Sequence, residues 1–180
     1  LAAHGCATDY VTGRKVGNLW DLDDDIRLGR DMFRDIRREA RAEGAPVNRD
    51  KEVVAKLRTM VARIAAVSHL PDLPYEVVLI QNDVVNAYAL PGGKIAVFQG
   101  LYRGKERLVH DDDELAAVVS HEIAHVTCRH STEEMTRQMP VDLLMLGGAI
   151  YAELKEDEDL QTALGGAFAV YEGFVVTRYS

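Results

Sequence analysis

The chain has 180 residues, 47% of them hydrophobic and 28% charged, which allows one domain with a real core and little room for two. Its formal charge of -8 excludes a general nucleic-acid binder, because phosphate binding needs a basic surface. No stretch qualifies as a transmembrane helix: the apolar run from Leu143 to Ala152 spans roughly ten residues, too few to cross a bilayer, and contains Gly147-Gly148, while Leu160 to Val176 is broken by Glu172 and several glycines.

At the start, Cys6 follows Leu1-Ala2-Ala3-His4-Gly5. A small residue before a cysteine fits the end of a bacterial lipoprotein signal, in which that cysteine becomes lipidated; Ala3 stands where a leucine is usual. The alternative is an incidental cysteine in a disordered N-terminus. With Cys128 the only other cysteine, no disulfide framework is expected.

Leu22 to Glu43 reads as a helix, with Leu22, Ile26, Phe33, Ile36 and Ala40 on an apolar stripe. Asp21, Asp23, Asp24 and Asp25 at its beginning, and Arg37, Arg38 and Arg41 near its end, complement the helix dipole; Gly44 and Pro46 stop it. Asn48 then caps a second helix carrying Val53, Leu57, Met60, Val61 and Ile64 at helical spacing. The charges on both helices read as solvated faces without chemistry. Pro71 and Pro74 bracket a change of period: Tyr75–Ile80, Asn86–Leu90 and Ile95–Phe98 are short β-rich runs, the last two separated by Pro91-Gly92-Gly93. Asp111–Glu114 opens a helix running to about Arg129, and the rest reads as helical with a break near Pro140. Helices, then strands, then helices give an α+β domain, a small sheet packed against a helical bundle.

The chemistry lies in His121-Glu122-Ile123-Ala124-His125. Residues four apart share a helix face, so both imidazoles can reach one Zn2+ ion, a metal that suits nitrogen ligands and leaves a position for water in catalytic sites. Glu122 can take a proton from that water and pass it to a leaving amine. H-E-x-x-H on a helix is a metalloprotease signature, although three fixed positions also arise by chance. Among other candidates, Glu172 is an acidic residue with apolar neighbours that could serve as a ligand or merely line a cavity or helix surface. Cys128 shares the histidine face one turn further on and reads more simply as a small buried thiol. His130 at the helix end suits either substrate or metal binding, or the helix dipole. His4, His69 and His110 have no partner pattern. Asn86, Ala87, Tyr88 and Ala89, with Leu90, make either a substrate-aligning edge strand or an ordinary sheet edge stopped by Pro91.

Several segments together resemble the HtpX-like zinc metallopeptidases related to the CAAX prenyl proteases. They are Asn86-Ala87-Tyr88-Ala89-Leu90-Pro91-Gly92-Gly93-Lys94-Ile95 with Gly100-Leu101, and Asp113-Glu114-Leu115-Ala116-Ala117-Val118 with His121–His125, Arg129 and His130. Cys6-Ala7-Thr8 and Val11-Thr12-Gly13-Arg14 are similar to the mature start of their periplasmic lipoprotein members. The resemblance runs from Cys6 to about Arg137. It implies a gluzincin fold, with His121 and His125 as metal ligands, Glu122 as general base and a downstream glutamate as third ligand. In that family the glutamate follows a Tyr-Ser-Arg turn; Tyr179-Ser180 end this sequence, so the third ligand is expected beyond Ser180. Residues 1–20 are then a lipoprotein-signal remnant and linker, and 21–180 a metallopeptidase domain truncated at its C-terminus. The expected function is hydrolysis of unfolded or misassembled envelope proteins in the periplasm, by an enzyme held to a membrane, foremost the outer one, through Cys6. A non-proteolytic chaperone-like or zinc-binding module on the same fold, and a structural domain with a chance motif, are the competing readings.

Overall fold

A computed structural model describes residues 7–139. The chain divides into two compact units, Leu1–Glu134 and Met135–Ser180, and the architecture below is that of the first. The apolar runs after Leu143, the break at Pro140, Glu172, Cys6 and His4 lie outside the described residues.

The first helix, α1 (Leu22–Ala42), starts where the sequence places it. Asp21 and Asp24 form a reciprocal capping box, and Gly44, at φ 80°, takes the left-handed turn that ends it. The second, α2 (Lys51–Ala65), departs from expectation at its start: Asp50, not Asn48, caps it by accepting from the Val53 N–H. Asn48 instead sits at φ 55°, donates its N–H to the Leu79 carbonyl at 2.9 Å and accepts from the Leu79 N–H at 2.8 Å. It is bound to the sheet, a role that local sequence does not reveal. Ahead of α1, two-residue strands β1 (Ala7–Thr8) and β2 (Lys15–Val16) pair antiparallel around a turn at Asp9–Gly13.

The main sheet has β3 (Glu76–Ile80), β4 (Ala87–Leu90) and β5 (Lys94–Phe98) in the order β3-β5-β4. The pairing of β3 with β5 is parallel (Glu76 opposite Lys94), and that of β4 with β5 is antiparallel (Ala87 opposite Val97). Alternation splits the central strands between two cores. Val77, Leu79, Ile95 and Val97 face Val54, Leu57 and Val61 of α2 and Leu115, Val119 and Ile123 of the third helix. Val78, Ile80 and Ala96 join Leu90 of β4 against Phe33 and Ala40 of α1. Both faces are covered, which is why these strands read as continuous apolar runs. The fold is thus the α+β arrangement expected from the sequence.

Two glycines let α1 approach the sheet. A Cβ on Gly29 would lie 1.8 Å from the Pro91 carbonyl oxygen, and one on Gly92, at φ 64°, would lie 2.5 Å from the Ile26 Cα. The backbone of α1 therefore rests directly on the Pro91–Gly93 turn between β4 and β5.

Not every acidic residue of α1 is solvated. Asp25 is 2% exposed, so the reading of this first turn as a surface charge run is corrected at that position.

Candidate active site

The third helix, α3 (Asp112–Thr127), is capped by Asp111, whose carboxylate accepts from the N–H groups of Asp113 and Glu114. Leu115, Val119, Ile123 and Val126 are buried, at spacings of one helical face. That packing fixes the rotation of the helix and hence the direction of the residues between them.

His121 and His125 lie on its outer side, one turn apart. Their rings meet edge to face, with centroids 4.6 Å apart, and their Nε2 atoms approach to 3.1 Å. Two nitrogens each about 2.05 Å from a tetrahedral zinc would be about 3.3 Å apart, so this pair fits such an ion with a shift of a few tenths of an ångström. Among the described residues there is no group of three or more His, Cys, Asp and Glu side chains able to hold a metal. Cys128 caps the C-terminal end of α3 and is a free, half-buried thiol whose pKa is raised by burial and by Asp9. It does not join the histidine pair. His69 is exposed, and His110 pairs with Glu114 at 3.2 Å beside the start of α3.

Glu122 is 8% exposed. Burial raises its carboxyl pKa, opposed by the charge of His121 and by the Ala89 N–H of β4. The His125 pKa is lowered by burial first and by the neighbouring His130 and His121 second, so the neutral imidazole that a metal requires is favoured.

Strand β4 lies on the edge of the sheet beside α3. The Phe98 N–H donates to the Asn86 carbonyl at 3.0 Å, so by the alternation of an antiparallel ladder Asn86, Tyr88 and Leu90 direct their backbone groups at β5. Ala87 and Ala89 direct theirs away from β5, where the Ala89 N–H meets the Glu122 carboxyl. Tyr88 packs its ring on Phe98, with centroids 5.8 Å apart, on the α1 side of the sheet. Of the four residues expected to align substrate, two therefore offer outward backbone groups and two maintain the strand.

Beyond α3, Arg129 is 6% exposed and binds both carboxylate oxygens of Asp25, at 2.6 and 2.9 Å, together with the Trp20 carbonyl at 2.6 Å. Asn18 donates to the buried Thr132 hydroxyl at 3.0 Å. Sequence reading marks Arg129 only through resemblance and gives no partner for it. Asp25 carries no signal at all, since its neighbours are ordinary first-turn acids.

The sequence matches the model of peptidase family M48 over residues 51–179. It is 30% identical to mitochondrial metalloendopeptidase OMA1 of Schizosaccharomyces pombe over 144 residues, 80% of this chain and 41% of that protein. It is 28% identical to the beta-barrel assembly-enhancing protease of Yersinia pestis over 160 residues, 87% of this chain and 31% of that protein. Over a shorter stretch of 82 residues, 46% of this chain and 16% of the relative, it is 39% identical to the OMA1 metalloendopeptidase of Arabidopsis thaliana. The chain thus spans less than half the length of these relatives. With a family match across most of its length and the H-E-x-x-H helix inside the matched region, the chain belongs to peptidase family M48.

Proposed function

We propose that this chain carries the catalytic helix of a zinc-dependent endopeptidase that cleaves extended, unfolded polypeptides. The observation that carries the reading is the 3.1 Å convergence of the His121 and His125 Nε2 atoms, with the buried Glu122 between them in sequence. His121 and His125 would hold the metal; zinc, when bound, supplies Lewis-acid polarisation of a peptide carbonyl and a more acidic water. Glu122 accepts a proton from the attacking water on its carboxylate and returns it to the departing amine nitrogen. Its raised pKa makes the carboxylate a stronger base for the first half of that exchange. The outward N–H and C=O groups of Ala87 and the Ala89 carbonyl receive an extended substrate as an added strand, which selects unfolded chains over folded ones.

The names of the relatives, a beta-barrel assembly-enhancing protease among them, favour misassembled bacterial envelope proteins as substrates, and hence a periplasmic location. The Cys6-Ala7-Thr8 start favours a lipid anchor on Cys6. Labelled fatty acid should be incorporated into the native precursor and not into its Cys6→Ser variant; equal incorporation refutes the anchor.

The test of the reaction is cleavage of casein by the zinc-loaded full-length protein. Glu122→Gln should lower kcat by roughly 10²- to 10⁴-fold, the usual contribution of general acid–base catalysis, while zinc content stays near wild type. Undiminished cleavage by that variant refutes the assignment of Glu122.

A further inference from the structure

Arg129 holds a left-handed backbone at φ 58°. For a residue other than Gly, Asn or Asp that costs roughly 1–2 kcal/mol, and it sits one residue past the cap of the helix bearing the candidate site. Its guanidinium and the Asp25 carboxylate are 5% and 3% exposed, so two charges have also been taken out of water. Replacing such a pair by apolar groups is often neutral or stabilising, so stability alone is a weak account of it. Strain and buried charge concentrated at one point call for a local purpose.

The path of the chain supplies one. His130 is five residues beyond His125, which on an uninterrupted α-helix would set it about 140° around the axis, away from the ligand face. The turn at Cys128 and Arg129 removes that offset, and the chain is helical again from residue 130. As a result the Nδ1 atoms of His125 and His130 lie 2.8 Å apart, with ring centroids at 4.9 Å. Two imidazole nitrogens at that distance share one proton. If Nε2 of His125 is to offer its lone pair to an ion beside His121, the proton must reside on Nδ1 of His125, with Nδ1 of His130 accepting it.

We propose that Arg129 is a positioning residue: its clasp on Asp25 and the Trp20 carbonyl turns the chain so that His130 accepts the Nδ1–H of His125, which presents His125 Nε2 as a bare donor atom next to His121. Asn18, bonded to Thr132, fastens the segment after the turn. The inference rests on reading His121 and His125 as metal ligands, but its first observable is the histidine tautomer in metal-free protein.

The experiment uses the full chain with ¹⁵N-labelled histidine, free of metal, at a pH where the imidazoles are neutral. Long-range ¹H–¹⁵N correlation should find the His125 proton on Nδ1. In His130→Phe, and in Asp25→Asn, it should move toward Nε2, the site preferred by imidazole in water. His130→Asn, whose side-chain oxygen can replace the Nδ1 acceptor, should keep the wild-type tautomer. Zinc affinity, measured by chelator competition, should fall ten- to a hundredfold in the first two variants and recover in the third, as for other groups that orient a ligand. If Asp25→Asn fails to fold, His130→Phe decides alone, since it leaves the ion pair intact. An unchanged tautomer and affinity in His130→Phe, or an Nε2-protonated His125 in the wild type, overturns the proposal. A wild-type tautomer that responds as expected in a protein that binds no zinc upholds the positioning and refutes the metal reading instead.

Discussion

Gly29 of α1 has no room for a side chain, because the Pro91 carbonyl oxygen occupies the place of its Cβ, 1.8 Å from where that atom would sit. The obstacle is backbone, which cannot rotate aside, and the glycine lies mid-helix where Ala would otherwise be preferred. Gly29→Ala should therefore destabilise the protein by roughly 1–3 kcal/mol, the range for an overpacked contact, despite improving local helix propensity. Urea denaturation of the two proteins measures it; equal or greater stability of the alanine variant would show that α1 and the turn are not held at this spacing.

Glu122 titrates against its surroundings. Its folded-state pKa is raised, so the fold binds this proton more tightly than the unfolded chain does. The associated stability is fully present below the unfolded carboxyl pKa and is lost as pH rises through the higher, folded value. In metal-free protein Glu122→Gln removes that loss. The variant should be more stable than wild type at pH 7, with the difference shrinking to nothing at pH 4. Melting temperatures recorded across that range check the sign, and a gap that widens on acidification contradicts it.

On the proposed function, the two sides of β4 serve folding and peptide pairing separately. Proline at position 88 deletes an N–H that pairs with β5, whereas proline at 87 deletes one that faces the open edge. Tyr88→Pro should lower stability by several kcal/mol, through the lost ladder bond and the lost ring packing on Phe98. Ala87→Pro should keep most of its stability and raise KM for casein about fivefold, the worth of one backbone hydrogen bond of roughly 1 kcal/mol. If Ala87→Pro leaves KM unchanged, the peptide does not pair along this edge.

Metal binding should show the lowered His125 pKa. A ligand imidazole must be neutral, and at His125 burial, His130 and His121 all disfavour the proton. On lowering the pH from 7.5, protonation of His125 should therefore begin to compete with zinc only below the ordinary imidazole range. His125→Ala should weaken zinc at least tenfold at pH 7.5. Chelator competition at a series of pH values tests both, and zinc affinity unaltered in His125→Ala would remove this residue from the ligand set.

What could be read in advance follows from how local each feature is. The start of α1 was legible because its capping box lies within four residues, and the H-E-x-x-H face because spacing alone puts His121 and His125 together. Asn48 misled because its side chain answers to Leu79, thirty-one positions away, and Asp50 was left to cap α2. The runs at 76–80 and 94–98 announce strands without saying that they lie side by side and parallel. Nor does any periodicity tell which residues of β4 point their amides outward, since that depends on register with β5. Asp25 was hidden among Asp23 and Asp24: three neighbouring acids differ only in what folds over them.

The bond between Asp25 and Arg129 joins residues 104 positions apart. Contacts of such separation carry a large loop-closure entropy and are favoured to form late, after local helices and hairpins have already been made. A chain in which α3 is wound but α1 is not yet docked would have His121 and His125 on a shared face and His130 still free to wander. On the proposed positioning role of Arg129, the histidine centre would then be assembled only on completing the tertiary structure. For a chain that, on the proposed function, cuts unfolded polypeptides, that delay would act as a safeguard lying in the order of folding.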